Sequence, residues 1–335
     1  MAPSSQPLTL TGKVAIVTGS SRGIGAGIAE ELARRGAKVL ITYASPRSER
    51  VVNELMERIR SLNNGSSVAK IQADLRELSA PQAIVNAAAQ AFGPYIDILV
   101  NNAGCEITKP LADHRVDDYN FIFELNVRAV IFLTQAVLPH LQAPGRIINL
   151  SSIGARGGFA NISTYCASKA AVESLTRCWA AELGDRGHTV NAVNPGPVQT
   201  EMLDTLPRDL IALQKSITPV EHRLGTVDDI AQIVAWMDLD AVFAYAQWTG
   251  GGRRRIRATI SGEGSAWGNR ALIQQAEGEV RLSKGFHCWR RGIISEIFHN
   301  QTWSFPQRLN FEDSSISFAC IFINNLASDP GKARR

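Results

Sequence analysis

Two hydrophobic periods alternate along the first 237 residues of the chain. Short apolar runs recur at Lys13 to Val17 (KVAIV), Lys38 to Tyr43 (KVLITY), Val68 to Gln72, Ile96 to Val100 (IDILV), Arg146 to Leu150 (RIINL) and Thr189 to Val193 (TVNAV). Runs of this length, rich in β-branched residues and bounded by turn residues, read as buried strands. Helical periodicity fills the gaps, at Ile24 to Arg35, Glu49 to Leu62, Ala80 to Phe92, Val116 to Leu141, Ser163 to Gly184 and Thr226 to Met237. Gly36 suits a helix C-terminus, and Thr226 suits an N-cap with acids in the turn after it. Leu203 to Thr218 is less regular, and its mix of Pro and polar residues suits a substrate lid. Six strand-then-helix units in a row predict an α/β fold: one doubly wound parallel sheet with helices on both faces.

The polar landmarks fall where the strands end, which is where open α/β sheets bind ligands. The first strand runs straight into Thr18 to Gly25 (TGSSRGIG) and then a helix. Such a unit places backbone N–H groups and a helix N-terminus around a phosphate, so the domain is Rossmann-like. The spacing is GxxxGxG through Gly19, Gly23 and Gly25, not GxGxxG, and alone it would also fit an ordinary strand-to-helix turn. After the second strand, where an acid would take a ribose 2′-hydroxyl, the chain reads TYASPRSER with no acid before Glu49. Ser45, Arg47 and Ser48, with Arg22 nearby, suit a 2′-phosphate instead and favour NADP(H). Asp74 follows the third strand and Asn101 to Gly104 (NNAG) the fourth. Asn126 stands among apolar neighbours in a long helix. A buried Asn needs partners, so it either bonds backbone across a helix distortion or holds a water.

One stretch carries acid–base chemistry. Ser152 is followed thirteen residues later by Tyr165, and Lys169 comes four residues after that. On a helix, Tyr165 and Lys169 share a face one turn apart. A free phenol has a pKa of about 10, and an adjacent ammonium lowers it. With Ser152 bonding the same substrate oxygen, the trio suits proton donation to a carbonyl or removal from an alcohol. An isolated YxxxK more often means a packed Tyr and a solvated Lys, so the neighbouring motifs decide the matter.

Taken together, TGxxxGxG at Thr18 to Gly25, NNAG at Asn101 to Gly104, Asn126, Ser152, Tyr165-x-x-x-Lys169 and Pro195-Gly196 resemble the short-chain dehydrogenase/reductase superfamily, in its order and spacing. The resemblance covers about Leu10 to Met237. Within the superfamily it is similar to NADPH-dependent 3-oxoacyl-carrier-protein reductases and to fungal reductases of polyketide and naphthol intermediates. It implies that Tyr165 is the general acid/base, that Lys169 lowers its pKa and holds the nicotinamide ribose, that Ser152 binds the carbonyl, and that Asn126 supports a proton-relay water. It implies cofactor contacts from Gly19, Ser21, Arg22, Gly23, Ile24, Gly25, Tyr43, Ser45, Asp74, Leu75, Asn101, Ala103, Gly104, Pro195, Gly196, Val198 and Thr200, besides Asn126, Tyr165 and Lys169. Asp74 would meet the adenine and Thr200 the nicotinamide carboxamide. The implied reaction is hydride transfer to a carbonyl carbon, with NADP(H) carrying the hard chemistry. The implied assembly is a homodimer or homotetramer.

Composition narrows the rest. The chain is 45% hydrophobic and 20% charged, with no apolar run near the ~20 residues a bilayer needs. It opens without a signal-peptide pattern, and its five Cys form no CxxC pair or metal spacing. Reduced thiols in the cytoplasm, no metal and no membrane association are the expectation. Of 35 basic and 31 acidic side chains, 13 and 9 lie from Asp238 onward, so the net charge of +4 belongs wholly to that segment. There the family pattern stops. Residues 1–9 read as a tail, 10–237 as the reductase domain and 238–335 as an atypical extension. Gln247 to Gly250 faintly echoes the entry to a seventh strand, and Leu326 to Lys332 echoes the turn expected after Trp236. One hypothesis is that about Met237 to Asn325 is non-coding or frame-shifted sequence read through. Its rival is an extension that binds a partner through Arg253, Arg254, Arg255 and Arg257. Loss of the seventh strand would leave a sheet edge open. Three functions follow: a carbonyl reductase, a catalytically impaired nucleotide-binding protein, or a nucleic-acid or partner module on the Arg cluster, for which no nucleic-acid motif speaks. Phe159, Met202 and Leu206 in the pocket loops, without a charge that demands an anion, lean toward an apolar or aromatic ketone.

Overall fold

A computed structural model of the chain describes residues 8–201, 203, 208–218 and 221–237, and three short strands beyond them. The main sheet holds β1 (Val14–Val17), β2 (Lys38–Tyr43), β3 (Ser67–Gln72), β4 (Ile96–Asn101), β5 (Leu141–Leu150) and β6 (Thr189–Val193). All pair in parallel, in the order β3-β2-β1-β4-β5-β6. The order reverses between β1 and β4, which opens a crevice at the carboxyl ends of these two strands. Helices α1 (Gly23–Arg34), α2 (Glu49–Arg60) and α8 (Val227–Met237) bury Ile28, Leu32, Val52, Leu55, Ile230 and Val234 on one face. Helices α3 (Ala80–Phe92), α5 (Ala129–Val137) and α6 (Ser163–Leu183) bury Ile84, Leu133 and Ala180 on the other. The expected doubly wound sheet is therefore the observed one. The irregular region after Leu203 contains α7 (Arg208–Ile217).

Boundaries follow local chemistry. Helix α1 ends at Gly36, whose φ of +95° is a left-handed conformation that glycine adopts without strain. Thr226 caps α8 as expected: its hydroxyl accepts from the Asp229 N–H at 3.1 Å, and Asp229 accepts from the Thr226 N–H at 2.7 Å. The long helical stretch is not continuous. It divides into α4 (Val116–Phe123), a π-helical turn at Glu124–Arg128, and α5. By length and composition Val116–His140 is apolar enough to cross a membrane, which the sequence expectation overlooked. Here it buries Ile122, Val130, Leu133 and Val137 within the fold and carries Asp117, Asp118, Glu124 and Arg128.

Among the described residues, β6 is an edge of the main sheet. A second, antiparallel sheet is formed by β7 (Arg257–Ile260), β8 (Ala271–Ala276) and β9 (Glu279–Ser283). Arg253 to Arg255, Gln247 to Gly250 and Leu326 to Lys332 lie outside the described residues, as do Met202 and Leu206.

A polar ladder crosses the sheet where β4 and β5 end. The Asn101 amide donates to Thr134 Oγ1 at 3.1 Å and to Asn149 Oδ1 at 2.9 Å. Asn149 in turn donates to Thr176 Oγ1 at 2.9 Å. All four side chains are buried, so each bond replaces water that cannot reach the group. Asn149→Ala removes one hydrogen bond from each neighbour where water cannot replace it and should destabilise the fold by about 2 kcal/mol. Urea unfolding checks this, and an unchanged midpoint contradicts it.

Candidate active site

The site forms where the ends of β1, β4, β5 and β6 meet the start of α6. The Gly-rich turn lies closest to β4. Gly19 has a φ of +61°, and a Cβ there would come within 2.9 Å of the Ala103 backbone. A Cβ on Gly25 would lie 2.4 Å from the Asn102 amide and 2.6 Å from the Gly19 carbonyl. Only glycine fits at either position. Asn102 staples the turn, donating from its side chain to the Thr18 and Gly19 carbonyls at 2.8 and 3.2 Å. Thr18 Oγ1 accepts from the Asn102 and Ala103 N–H groups at 2.9 and 3.0 Å. Thr200, on the loop after β6, packs 3.4 Å from where a Gly23 Cβ would stand, and Arg22 pairs with Glu201 at 3.3 Å. Ser21, Leu75, Pro195, Gly196 and Val198 likewise fall in the turns after strands, and Ile24 lies in the first turn of α1.

Three expected cofactor residues spend their side chains within the protein. Asn101 points into the buried ladder. Tyr43 donates its hydroxyl to Glu49, and burial with that carboxylate pushes the phenol up to about 12. Asp74 accepts from the Arg76 guanidinium at 2.6 and 3.1 Å, which holds its carboxyl below the usual range. Glu49, the first acid after β2, also binds the Lys70 ammonium, while Ser45 Oγ accepts from the Arg47 N–H at 3.2 Å.

Asn126 sits in the π turn and is 1% exposed. Its Oδ1 accepts from the Cys105 N–H at 2.9 Å, and its Nδ2 donates to the Cys105 carbonyl at 2.9 Å and to Ser168 Oγ at 3.0 Å. From within a distorted helix the side chain thus bonds backbone, that of the loop after β4.

Ser152, Tyr165 and Lys169 come together. Ser152 Oγ accepts from the Gly154 N–H at 3.0 Å, and its hydroxyl is near enough to the Tyr165 phenol to favour the ionised form. Lys169 is 6% exposed, donates to the Leu150 carbonyl at 2.8 Å, and lies 5.8 Å from the Tyr165 ring centroid. Burial lowers the ammonium to about 8. Burial pushes Tyr165 up to about 12 against the pull of Ser152, with Glu106, Cys166 and Cys105 adding to the rise. The lowering expected from Lys169 is not among these influences, burial dominates, and Tyr165 stays protonated near neutral pH.

One functional neighbour escaped the sequence expectations. Glu173, one turn past Lys169, is 4% exposed. Its two oxygens each accept from Arg156 Nε at 3.0 Å, and it also takes the Asn194 amide. Ile153 N–H donates to the Pro195 carbonyl at 3.1 Å. The loop after Ser152 and the turn at Pro195 are therefore tied to each other and to α6. The signal was available: Tyr165, Lys169 and Glu173 share one face at i, i+4 and i+8.

The comparisons agree with this geometry. The enoyl-(acyl carrier protein) reductase family matches residues 19–243. Dehydrogenase OXI1 of Cochliobolus heterostrophus is 42% identical over 219 residues, which cover 64% of this chain and 93% of that protein. The hydroxynaphthalene reductase-like protein Arp2 of Metarhizium majus is 39% identical over 251 residues, 71% of this chain and 92% of Arp2. A solved short-chain dehydrogenase from Burkholderia cenocepacia, in complex with NADP, is 41% identical with a TM-score of 0.64, covering 69% of this chain and 91% of its own. Fold and relatives define an oxidoreductase for CH–OH and C=O groups that uses a nicotinamide cofactor. The chain belongs to the short-chain dehydrogenase/reductase superfamily.

The Lys169 value has a consequence for stability. Its folded pKa lies below the ordinary 10.5, so between pH 8 and 10.5 the unfolded chain holds more protons at this lysine. The penalty is fully present below pH 8 and is relieved as pH rises. It is on the order of 3 kcal/mol, less about 1 for the Leu150 hydrogen bond. Lys169→Met should therefore raise the stability of the ligand-free protein at pH 7, and the gain should shrink above pH 10. Paired denaturation curves at both pH values check this; a destabilised variant at pH 7 contradicts it.

Proposed function

We propose that this protein is an NADP(H)-dependent ketone reductase acting on polyketide-like or other secondary-metabolite ketones in the cytoplasm, and that residues 10–237 carry the reaction. The observation that carries this proposal is Tyr165: a half-buried phenol one helical turn from the buried Lys169 ammonium, which lies 5.8 Å from its ring, and held protonated at neutral pH. That protonation state is the one reduction requires, because the phenol must give up its proton. The fungal relatives named as hydroxynaphthalene reductases support the substrate class.

The chain fits a dinucleotide. Gly19 and Gly25 let the turn pack directly against Asn102 and Ala103 after β4, which brings it to the head of α1, where N–H groups suit a phosphate. Exposed Arg47 and Ser45 flank the β2 end, while Lys70 neutralises Glu49 nearby, which supports a 2′-phosphate there. Solved relatives carrying NADP and NADPH support the same choice. Bound NADPH would supply the hydride that the carbonyl carbon takes. Ser152 and Tyr165 would hold the carbonyl oxygen between their hydroxyls, and the Tyr165 proton would pass to that oxygen as the carbon–oxygen double bond becomes an alcohol. Lys169 would stabilise the phenolate left behind and hold the ribose. Glu173 keeps the Ser152 loop at its distance from Tyr165.

A catalytically impaired nucleotide-binding protein is the second reading, favoured by the β6 edge among the described residues. Turnover separates the two. Tyr165→Phe should lower kcat by at least about a hundredfold while NADPH still binds, as followed by its fluorescence. Equal rates contradict the mechanism. Arg47→Ala should weaken NADPH binding and leave NADH binding unchanged, by the same titration. Exposed Tyr119, Phe121 and Phe132 on α4 and α5 support a homo-oligomer through that face. Sedimentation of the full chain should give more than a monomer's mass, and a strict monomer contradicts it.

A further inference from the structure

The loop that leaves β4 crosses the catalytic helix at a defined place. Gly104 begins it, tight against the site: a Cβ there would stand 3.2 Å from Asn126 Oδ1 and 3.3 Å from Lys169 Nζ. The N–H and C=O of Cys105 are both held by the Asn126 side chain. At the far end, the Lys109 N–H donates to the Asn161 carbonyl at 2.8 Å, two residues before α6 begins at Ser163. The Lys109 ammonium is taken by Asp118 at 2.7 Å. Glu106 lies between these anchors, two residues past Gly104 and next to the Cys105 that Asn126 holds, so it belongs to the stretch that borders Lys169.

The Glu106 carboxylate is half-buried, and its hydrogen-bond partner is the Thr108 hydroxyl at 3.2 Å. Among the described residues no Lys or Arg pairs with it. Its charge is felt by both Tyr165 and Cys166, and burial raises its own carboxyl. A carboxylate can only accept hydrogen bonds, and one drawn out of water favours a donor. The sequence expectation weighed only charges that would demand an anion, and Glu106 is not one of them.

We propose that Glu106 is a specificity-determining residue: it accepts a hydrogen bond from a substrate hydroxyl and repels substrates that bring a carboxylate. The preferred substrate class is then a neutral ketone that also carries a hydroxyl group. This rests on the ketone-reductase proposal above. A site built to bond a hydroxyl discriminates strongly against the analogue lacking it, because its acceptor is left unpaired.

The test uses the full chain and three ketones of one bicyclic aromatic skeleton: the parent, its hydroxylated forms and its carboxylated form. The kcat/KM of the best hydroxylated form over the parent should be at least about tenfold in the wild type, and the carboxylated form should be the poorest. Glu106→Leu should bring the hydroxyl-to-parent ratio close to one. Glu106→Gln, which keeps an acceptor but no charge, should retain part of that ratio and raise the relative rate on the carboxylated form. Identical ratios in wild type and both variants overturn the role of Glu106 and leave the reductase standing. No NADPH oxidation with any of the ketones overturns the reductase proposal and this one with it.

Discussion

Lys169 carries an ammonium that is 6% exposed and bonded to the Leu150 carbonyl at 2.8 Å. An isolated cation in such a place is costly, and the local structure is arranged around keeping it there. Gly104 has no side chain that could displace it. Asn126 sits in a π turn that lets it hold both backbone groups of Cys105, so the loop after β4 closes over the lysine. Ser168, on the same turn of α6 as Lys169, bonds Asn126 and the Tyr165 carbonyl. The helix, the loop and the strand end are thereby fixed to one another around a group whose burial weakens the fold. A charge retained at that cost points to function.

The same helix face transmits the arrangement outward. Tyr165, Lys169, Glu173 and Thr176 follow one another down α6, and the last three bind the sheet's carboxyl edge, Lys169 and Thr176 at the end of β5 and Glu173 after β6. Thr176 reaches Asn149 on β5, and through it Asn101 on β4. Glu173 reaches Asn194 after β6 and Arg156 after Ser152. The distance between Ser152 and Tyr165 is thus set by polar bonds buried beneath the site, and the apolar faces of α5 and α6 supply the rigid backing.

Much of this was legible in the sequence. Six β-branched runs gave the six strands within a residue or two, apart from β5, which begins at Leu141 rather than Arg146. Ser152, Tyr165 and Lys169 were found by spacing, and the glycines by the turn they require. The long helix from Val116 read as continuous because a π turn changes no hydrophobic pattern. Asn101 and Asp74 lay at strand ends and so looked aimed at the crevice; their side chains turn to Asn149 and Arg76, partners that a local reading does not choose between. Glu173 shares the helix face of Tyr165 and Lys169, but its partners, Arg156 and Asn194, are seventeen and twenty-one residues away, so its face was legible and its bonds were not. Glu106 was hidden because its placement depends on how Asn126 and Asn161 fold the loop.

The central claim is that this site moves a hydride from a nicotinamide to a ketone carbon while Tyr165 protonates the oxygen. Incubating the full chain with a hydroxylated aromatic ketone and NADPH deuterated at both C4 positions tests it most directly, with mass and NMR spectra of the product alcohol. The account predicts one deuterium per molecule, bound to the carbinol carbon, and none on the hydroxyl after exchange in water. An alcohol formed without deuterium at that carbon contradicts it.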